Sequence, residues 1–137
     1  MPGSLVLDSE GLVKLAAGDP RARAYLATAI SRRARVCVSA ITLTEVLRGG
    51  PRDAVVHRVL SRVSVLPVTR EIARRAGEQL GATGLSGHRC AIDAVVAVTA
   101  LGLDRPAVLL TSDPGDLNRL VKEPGRPRSQ HIAVVRV

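Results

Sequence analysis

The sequence predicts an α/β protein, a three-layer α/β/α sandwich around a mostly parallel five-stranded sheet. Two observations carry this. The short apolar runs that read as strands are continuous rather than alternating, the mark of strands buried on both faces. Segments with helical apolar spacing separate them, so strand and helix alternate along the chain. The length, 137 residues, suits one domain spanning 1–137, and neither an internal repeat nor a linker interrupts it.

Leu5 to Leu7 is the first strand and stops at Asp8; Leu12, Leu15 and Ala16 then give Ser9 to Ala17 a helical face. Pro20 suits the first turn of a second helix, which carries Ala24, Tyr25, Ala27 and Ile30 and runs to Arg33. Val36 to Val38 is the second strand. A third helix is expected over Thr42 to Arg48, stopped by Gly49, Gly50 and Pro51. A fourth carries Ala54, Val55, Val59 and Leu60, before a strand near Val63 to Leu66. Thr69 is positioned to cap a helix with Ile72, Ala73, Ala76 and Leu80 on one face. The three glycines from Gly81 to Gly87 predict a flexible loop, followed by an apolar helix from about Cys90 to Leu101. A strand at Ala107 to Leu110, a short helix around Leu117 to Val121 and a last strand at Ile132 to Val135 complete the order. Glu123 to Gln130, rich in Pro, Gly and Arg, reads as a mobile surface loop.

Composition bounds the chemistry. Apolar residues make up 46% of the chain, yet there is no Phe, no Trp and one tyrosine, so the core is packed from Val, Leu, Ile and Ala. No run approaches the roughly 18 apolar residues of a membrane span, and the N-terminus lacks a basic segment and cleavage site, which predicts a soluble cytoplasmic protein with no membrane partner. Cys37 and Cys90 are far apart and form no CxxC pair, which argues against a zinc knuckle or a disulfide framework and for buried, inert thiols. The net charge of +8 comes from 20 basic residues, all Arg except Lys14 and Lys122. Such a balance fits a polyanionic partner, and it equally fits the Arg-rich coding of a GC-rich genome.

The acids separate these readings. In open parallel sheets ligands bind beyond the carboxyl ends of the strands. Asp8 follows the first strand directly, and Asp113 follows Thr111 and Ser112 after the fourth. Singly, each reads as a helix cap, Asp8 before Ser9 and Asp113 before Pro114. Glu45 lies among Ile41, Leu43, Val46 and Leu47, where a solvent-facing stripe serves as well as a functional role. Asp93 resists that explanation: its i+3, i+4 and i+7 neighbours are Val96, Ala97 and Ala100, and no cation stands at helical spacing to neutralise it. Carboxylates that converge without cations imply a bound metal, and an all-oxygen set implies Mg²⁺ or Mn²⁺ rather than zinc.

The order of these segments resembles the PIN-domain nucleases, and among them the VapC-type toxins of bacterial toxin-antitoxin pairs. Asp8 with Ser9 resembles the family's opening aspartate and its hydroxyl neighbour. TLTEVLRG resembles the segment carrying its glutamate, here Glu45; AIDAVVAVTAL resembles its helical aspartate segment, here Asp93; and TSDPGDL resembles its T-x-D/N-x-x-D-F segment, giving Asp113 and Asp116. Leu117 departs from the family's usual Phe. The near absence of aromatics removes base-stacking platforms, leaving substrate to be held through phosphates by Arg.

The resemblance implies metal-dependent hydrolysis of RNA phosphodiesters. It makes Asp8 and Asp93 primary metal ligands, lets Glu45, Asp113 and Asp116 complete the set directly or through water, and gives Ser9, Thr111 and Ser112 supporting roles. It also implies a homodimer and a small cognate antitoxin whose C-terminal segment blocks the acidic groove. With five acids assigned to metal, seven remain against 20 basic residues, an excess that coding bias does not explain. Arg48, His88 and Arg89 are the candidate RNA contacts. The alternative is a non-catalytic RNA- or protein-binding module in which the acids are caps and a solvated helix face. A phosphoacceptor receiver domain is set aside, since Asp8 has no acidic neighbour and neither lysine follows a late strand.

Overall fold

The computed structural model describes residues 2–137. Five parallel strands form one sheet in the order β3-β2-β1-β4-β5. They are β1 (Ser4–Leu7), β2 (Arg35–Ser39), β3 (Ser64–Leu66), β4 (Ala107–Thr111) and β5 (Ala133–Arg136). The helices are α1 (Ser9–Ala16), α2 (Pro20–Ser31), α3 (Thr42–Val46), α4 (Ala54–Leu60), α5 (Arg70–Thr83), α6 (Gly87–Leu101) and α7 (Pro114–Leu120). Single 3₁₀ turns lie at Pro51–Asp53 and Arg128–Gln130.

The strand periodicity of two builds the layers. Leu5, Leu7 and Leu110 turn to one face with Leu12, Leu15, Ala22 and Val38, under α1, α2 and α4. Val6 and Leu109 turn to the other with Ala94, Ala97, Leu117 and Leu120, under α5, α6 and α7. Both clusters are aliphatic, as the composition requires. Helices on both faces make the α/β/α sandwich expected from the sequence, with every strand pair parallel.

Because β1 and β4 are adjacent at the centre of the sheet, the residues following them are brought side by side. Their register pairs Leu7 with Leu110, which sets Asp8 next to Thr111. Gly11 is needed for this: a Cβ there would stand 2.5 Å from the Leu110 carbonyl oxygen, backbone that cannot yield. Only hydrogen lets the first turn of α1 lie across the end of β4.

Three local expectations are corrected. The predicted loop from Gly81 to Gly87 is mostly helix: α5 runs through Gly81 to Thr83, whose hydroxyl donates to the Gln79 carbonyl at 2.9 Å. Packing of α5 on α6 overrides the glycine signal, and only Gly84, left-handed at φ +70°, serves as the stop. Ser86 caps α6 by accepting from the Arg89 N–H, so that helix begins at Gly87, three residues before the expected Cys90. The third helix ends at Val46 instead of Arg48, because Leu47 is extended and the Arg48 and Gly49 N–H groups donate to Asp53 Oδ2 at 2.9 and 2.7 Å. Within Glu123 to Gln130, Glu123 pairs with Arg105 at 2.6 Å and with Arg126 at 3.1 Å, and a 3₁₀ turn closes the segment. Among the described residues no helix is long and apolar enough to cross a membrane.

Candidate active site

Asp8 directly follows β1 and is 6% exposed. It is both a cap and an inward acid: Oδ1 accepts from the Gly11 N–H at 2.8 Å, while the carboxylate sits among other acids. Burial raises its pKa, the Thr111 hydroxyl and the Gly11 N–H partly offset that, and Glu10 and Glu45 push it further up.

Thr111 closes β4, almost fully buried. Its oxygen accepts from the Asp113 N–H at 3.1 Å while its hydroxyl faces Asp8, so one residue orients both strand-end acids. Asp113 occupies the cap position of α7, yet its side chain makes no capping bond. The cap explanation therefore applies to Asp8 and not to Asp113. Asp113, Asp116 and Glu45 are exposed and Asp93 is half-buried.

Asp93 lies in the second turn of α6, on the side facing the strand ends. Its pKa is pushed up to about 6, first by burial, then by Asp8, Glu45, Asp116 and Asp113. The four other acids singled out from the sequence are thus all within electrostatic reach of Asp93. None takes part in an ion pair among the described residues. Nor do any three His, Cys, Asp or Glu side chains there stand as a ready-made ligand group.

The other residues singled out fall in different places. Ser9 opens α1 beside Asp8 and is half-buried. Ser112 turns from the acids, its hydroxyl donating to the Val137 carbonyl at 3.3 Å. The Arg48 guanidinium folds onto the end of α3, donating to the Thr44 and Leu47 carbonyls at 3.0 and 2.8 Å. His88 and Arg89 are exposed in the first turn of α6, one turn before Asp93.

Sequence reasoning passed over two features. Cys90 is buried, as expected, but its thiol donates to Asp116 Oδ2 at 3.6 Å, an i+3 relation to Asp93 that the helical spacing already contained. A groove of about 570 Å³ opens between α1, α3 and α4, lined by Val13, Val46, Val55, Arg48 and Arg52. Val13 and Val55 are each 44% exposed, and nothing in their local sequence sets them apart from core valines.

A model of the PIN domain matches residues 5–122. The chain belongs to the PIN-domain family. No curated protein matches it by sequence. Among solved structures it is similar to VapBC2 from Rickettsia felis bound to a DNA fragment from the promoter, with a TM-score of 0.67 and 16% identity over 96% of this chain and 98% of that one. It is also similar to a toxin-antitoxin complex from Klebsiella pneumoniae, with a TM-score of 0.63 and 22% identity over 96% and 95%. At these identities the likeness is one of fold, and the PIN fold of this chain is the one found in those complexes.

Proposed function

We propose that this PIN domain is a metal-dependent endoribonuclease, the toxin of a type II toxin-antitoxin pair. The observation that carries the reading is Asp93, whose proton is retained to about pH 6 by burial and four neighbouring carboxylates, with no cation among them. A structural acid is held by a cation or by donors; a group surrounded by like charge is arranged for a cation still to come.

The donor set fits a hard divalent ion. It is all oxygen, and it is gathered without being closed, which suits Mg²⁺ or Mn²⁺, ions that keep several waters and take few carboxylates. Asp8 and Asp93 would hold the ion, with Glu45, Asp113 and Asp116 joining directly or through water. When bound, such an ion lowers the pKa of an attacking water and stabilises charge on the leaving oxygen. The protein's own part is positional: Gly11 N–H and Thr111 fix Asp8, and Thr111 fixes the backbone of Asp113.

RNA as the substrate is supported by the charge balance, and a cytoplasmic setting belongs to the same reading. An antitoxin partner is supported by the toxin-antitoxin neighbours and by the apolar groove beside the Glu45 helix, since exposed apolar concavities mark partner surfaces. A homodimer belongs to the same reading.

The test is digestion of total cellular RNA by metal-stripped protein, with and without added Mn²⁺ or Mg²⁺, and with cleavage ends mapped. Discrete cleavage that appears with metal and vanishes in EDTA is expected. Undiminished cleavage in chelator refutes the metal-dependent reading, and RNA binding without cleavage in metal favours the non-catalytic module.

A further inference from the structure

The arginines differ in what their guanidinium groups are free to do. Arg74 is held by Glu71 and Glu78, Arg126 by Glu123, and Arg105 by Glu123 with the Gln130 and Leu101 carbonyls. Arg119 Nη2 donates to the Thr83 carbonyl, and Arg48 Nη1 donates to the Thr44 and Leu47 carbonyls at the end of α3. Arg136 is tethered at the residue before Asp113. It is exposed, lies at the carboxyl end of β5 and is paired in register with Thr111. Its Nε donates to the Ser112 carbonyl at 3.2 Å, and among the described residues neither Nη group has a partner.

This tether fixes the plane of the guanidinium at the residue before Asp113. The same segment is stapled twice more, by Val137 N–H to the Thr111 carbonyl at 2.8 Å and by Ser112 Oγ to the Val137 carbonyl at 3.3 Å. A cation thus stands beside the backbone of the residue before Asp113, and among the described residues Arg136 takes part in no ion pair. Planar guanidinium nitrogens match phosphate oxygens two at a time, and a fork held by its Nε loses little freedom on binding.

Resting on the ribonuclease reading, we propose that Arg136 is a substrate-binding residue that receives a backbone phosphate of single-stranded RNA through its two free Nη groups. The phosphate so held lies beside the Ser112–Asp113 segment, which would set the strand's register against the acids. Phosphate contacts position a strand and carry no base preference, so Arg136 would act on any sequence.

The test uses the full chain carrying Asp93→Asn to prevent cleavage, with a fluorescent polyuridine probe titrated over a range of salt. One lost phosphate contact lowers the steepness of the log-log salt dependence by about 0.7 for a single strand. Arg136→Gln should show that decrease and bind about fivefold more weakly at low salt, with an unchanged melting temperature. Arg136→Lys should keep the parent's slope, because the charge remains, while losing part of the affinity with the fork. An unchanged slope and affinity in Arg136→Gln, or a binding loss matched by a fall in stability, overturns the proposal and leaves the nuclease reading standing. If the parent itself shows no salt-dependent binding, the RNA reading falls, and this assignment with it.

Discussion

Asp93→Asn offers the sharpest prediction, because the change keeps the side chain's shape and removes one charge. An ordinary aspartate titrates near 3.8, whereas Asp93 keeps its proton to about 6. At about 1.36 kcal/mol per pH unit this difference amounts to about 3 kcal/mol, and partial solvent screening of a half-buried group reduces it to about 1–2 kcal/mol. The sign is fixed by which state binds more protons. Below pH 3.8 both states hold the proton and Asp93 contributes nothing. Between 3.8 and about 6 the unfolded chain has released the proton and the native state has not, so stability falls as pH rises. Above about 6 the deficit is complete.

At pH 7, in EDTA, Asp93→Asn should therefore be more stable than the parent by about 1–2 kcal/mol, a rise of roughly 3–10 °C in melting temperature for a domain of this size. Near pH 3.5 the two proteins should melt together. With Mn²⁺ the parent should gain stability, since a ligand that binds only the native state raises its apparent stability. The variant should lose that gain along with cleavage. Thermal melts of both proteins at the two pH values, with and without metal, decide the matter. A variant that is destabilised without metal and still cleaves RNA with it would falsify the assignment of Asp93 as a ligand.

Gly11→Ala should cost about 1–3 kcal/mol in a chemical denaturation series, because its Cβ would meet the Leu110 carbonyl at 2.5 Å and force α1 off the end of β4. Displacing α1 also moves Asp8, so metal-induced stabilisation should weaken beyond what the stability loss explains. Thr111→Val, close in shape, removes the oxygen that accepts from the Asp113 N–H and faces Asp8. It should cost about 1–2 kcal/mol and raise the Mn²⁺ concentration needed for half-maximal cleavage; an unchanged metal requirement would show that Thr111 does not orient the acids.

How much of this was legible in the sequence depended on the range of the signal. The strands announce themselves because burial on both faces leaves no polar alternation, and Leu5 to Leu7 or Ala107 to Leu110 can be little else. Asp8 and Asp113 were findable because the carboxyl ends of parallel strands are where loops diverge, and Asp93 because its neighbours at helical spacing are apolar. The errors arose where tertiary packing outweighs a local preference. Gly81 breaks a helix in isolation, but α5 is supported along its length by α6, and only Gly84 has the backbone angle that demands glycine. The third helix was expected to reach Arg48, yet the Arg48 and Gly49 N–H groups turn to Asp53 and end it at Val46. Arg136 gave no signal at all, because its partner Ser112 is 24 residues away and meets it only through β4 and β5 pairing.

The acids of the site divide by burial, and the division has a mechanical consequence. Asp8, almost fully enclosed, is fixed by the Gly11 N–H and Thr111, and Asp93 sits half-buried on the long, well-packed α6. These two bear the desolvation cost. Glu45, Asp113 and Asp116 are exposed, so water screens them and their side chains can rotate. A rigid pair flanked by three adaptable acids holds a charge excess without a closed cage. On the nuclease reading, this is the arrangement that lets the site wait empty at modest cost. Asp8 and Asp93 would then hold the ion, and Glu45, Asp113 and Asp116 would have the freedom to adapt to it directly or through water.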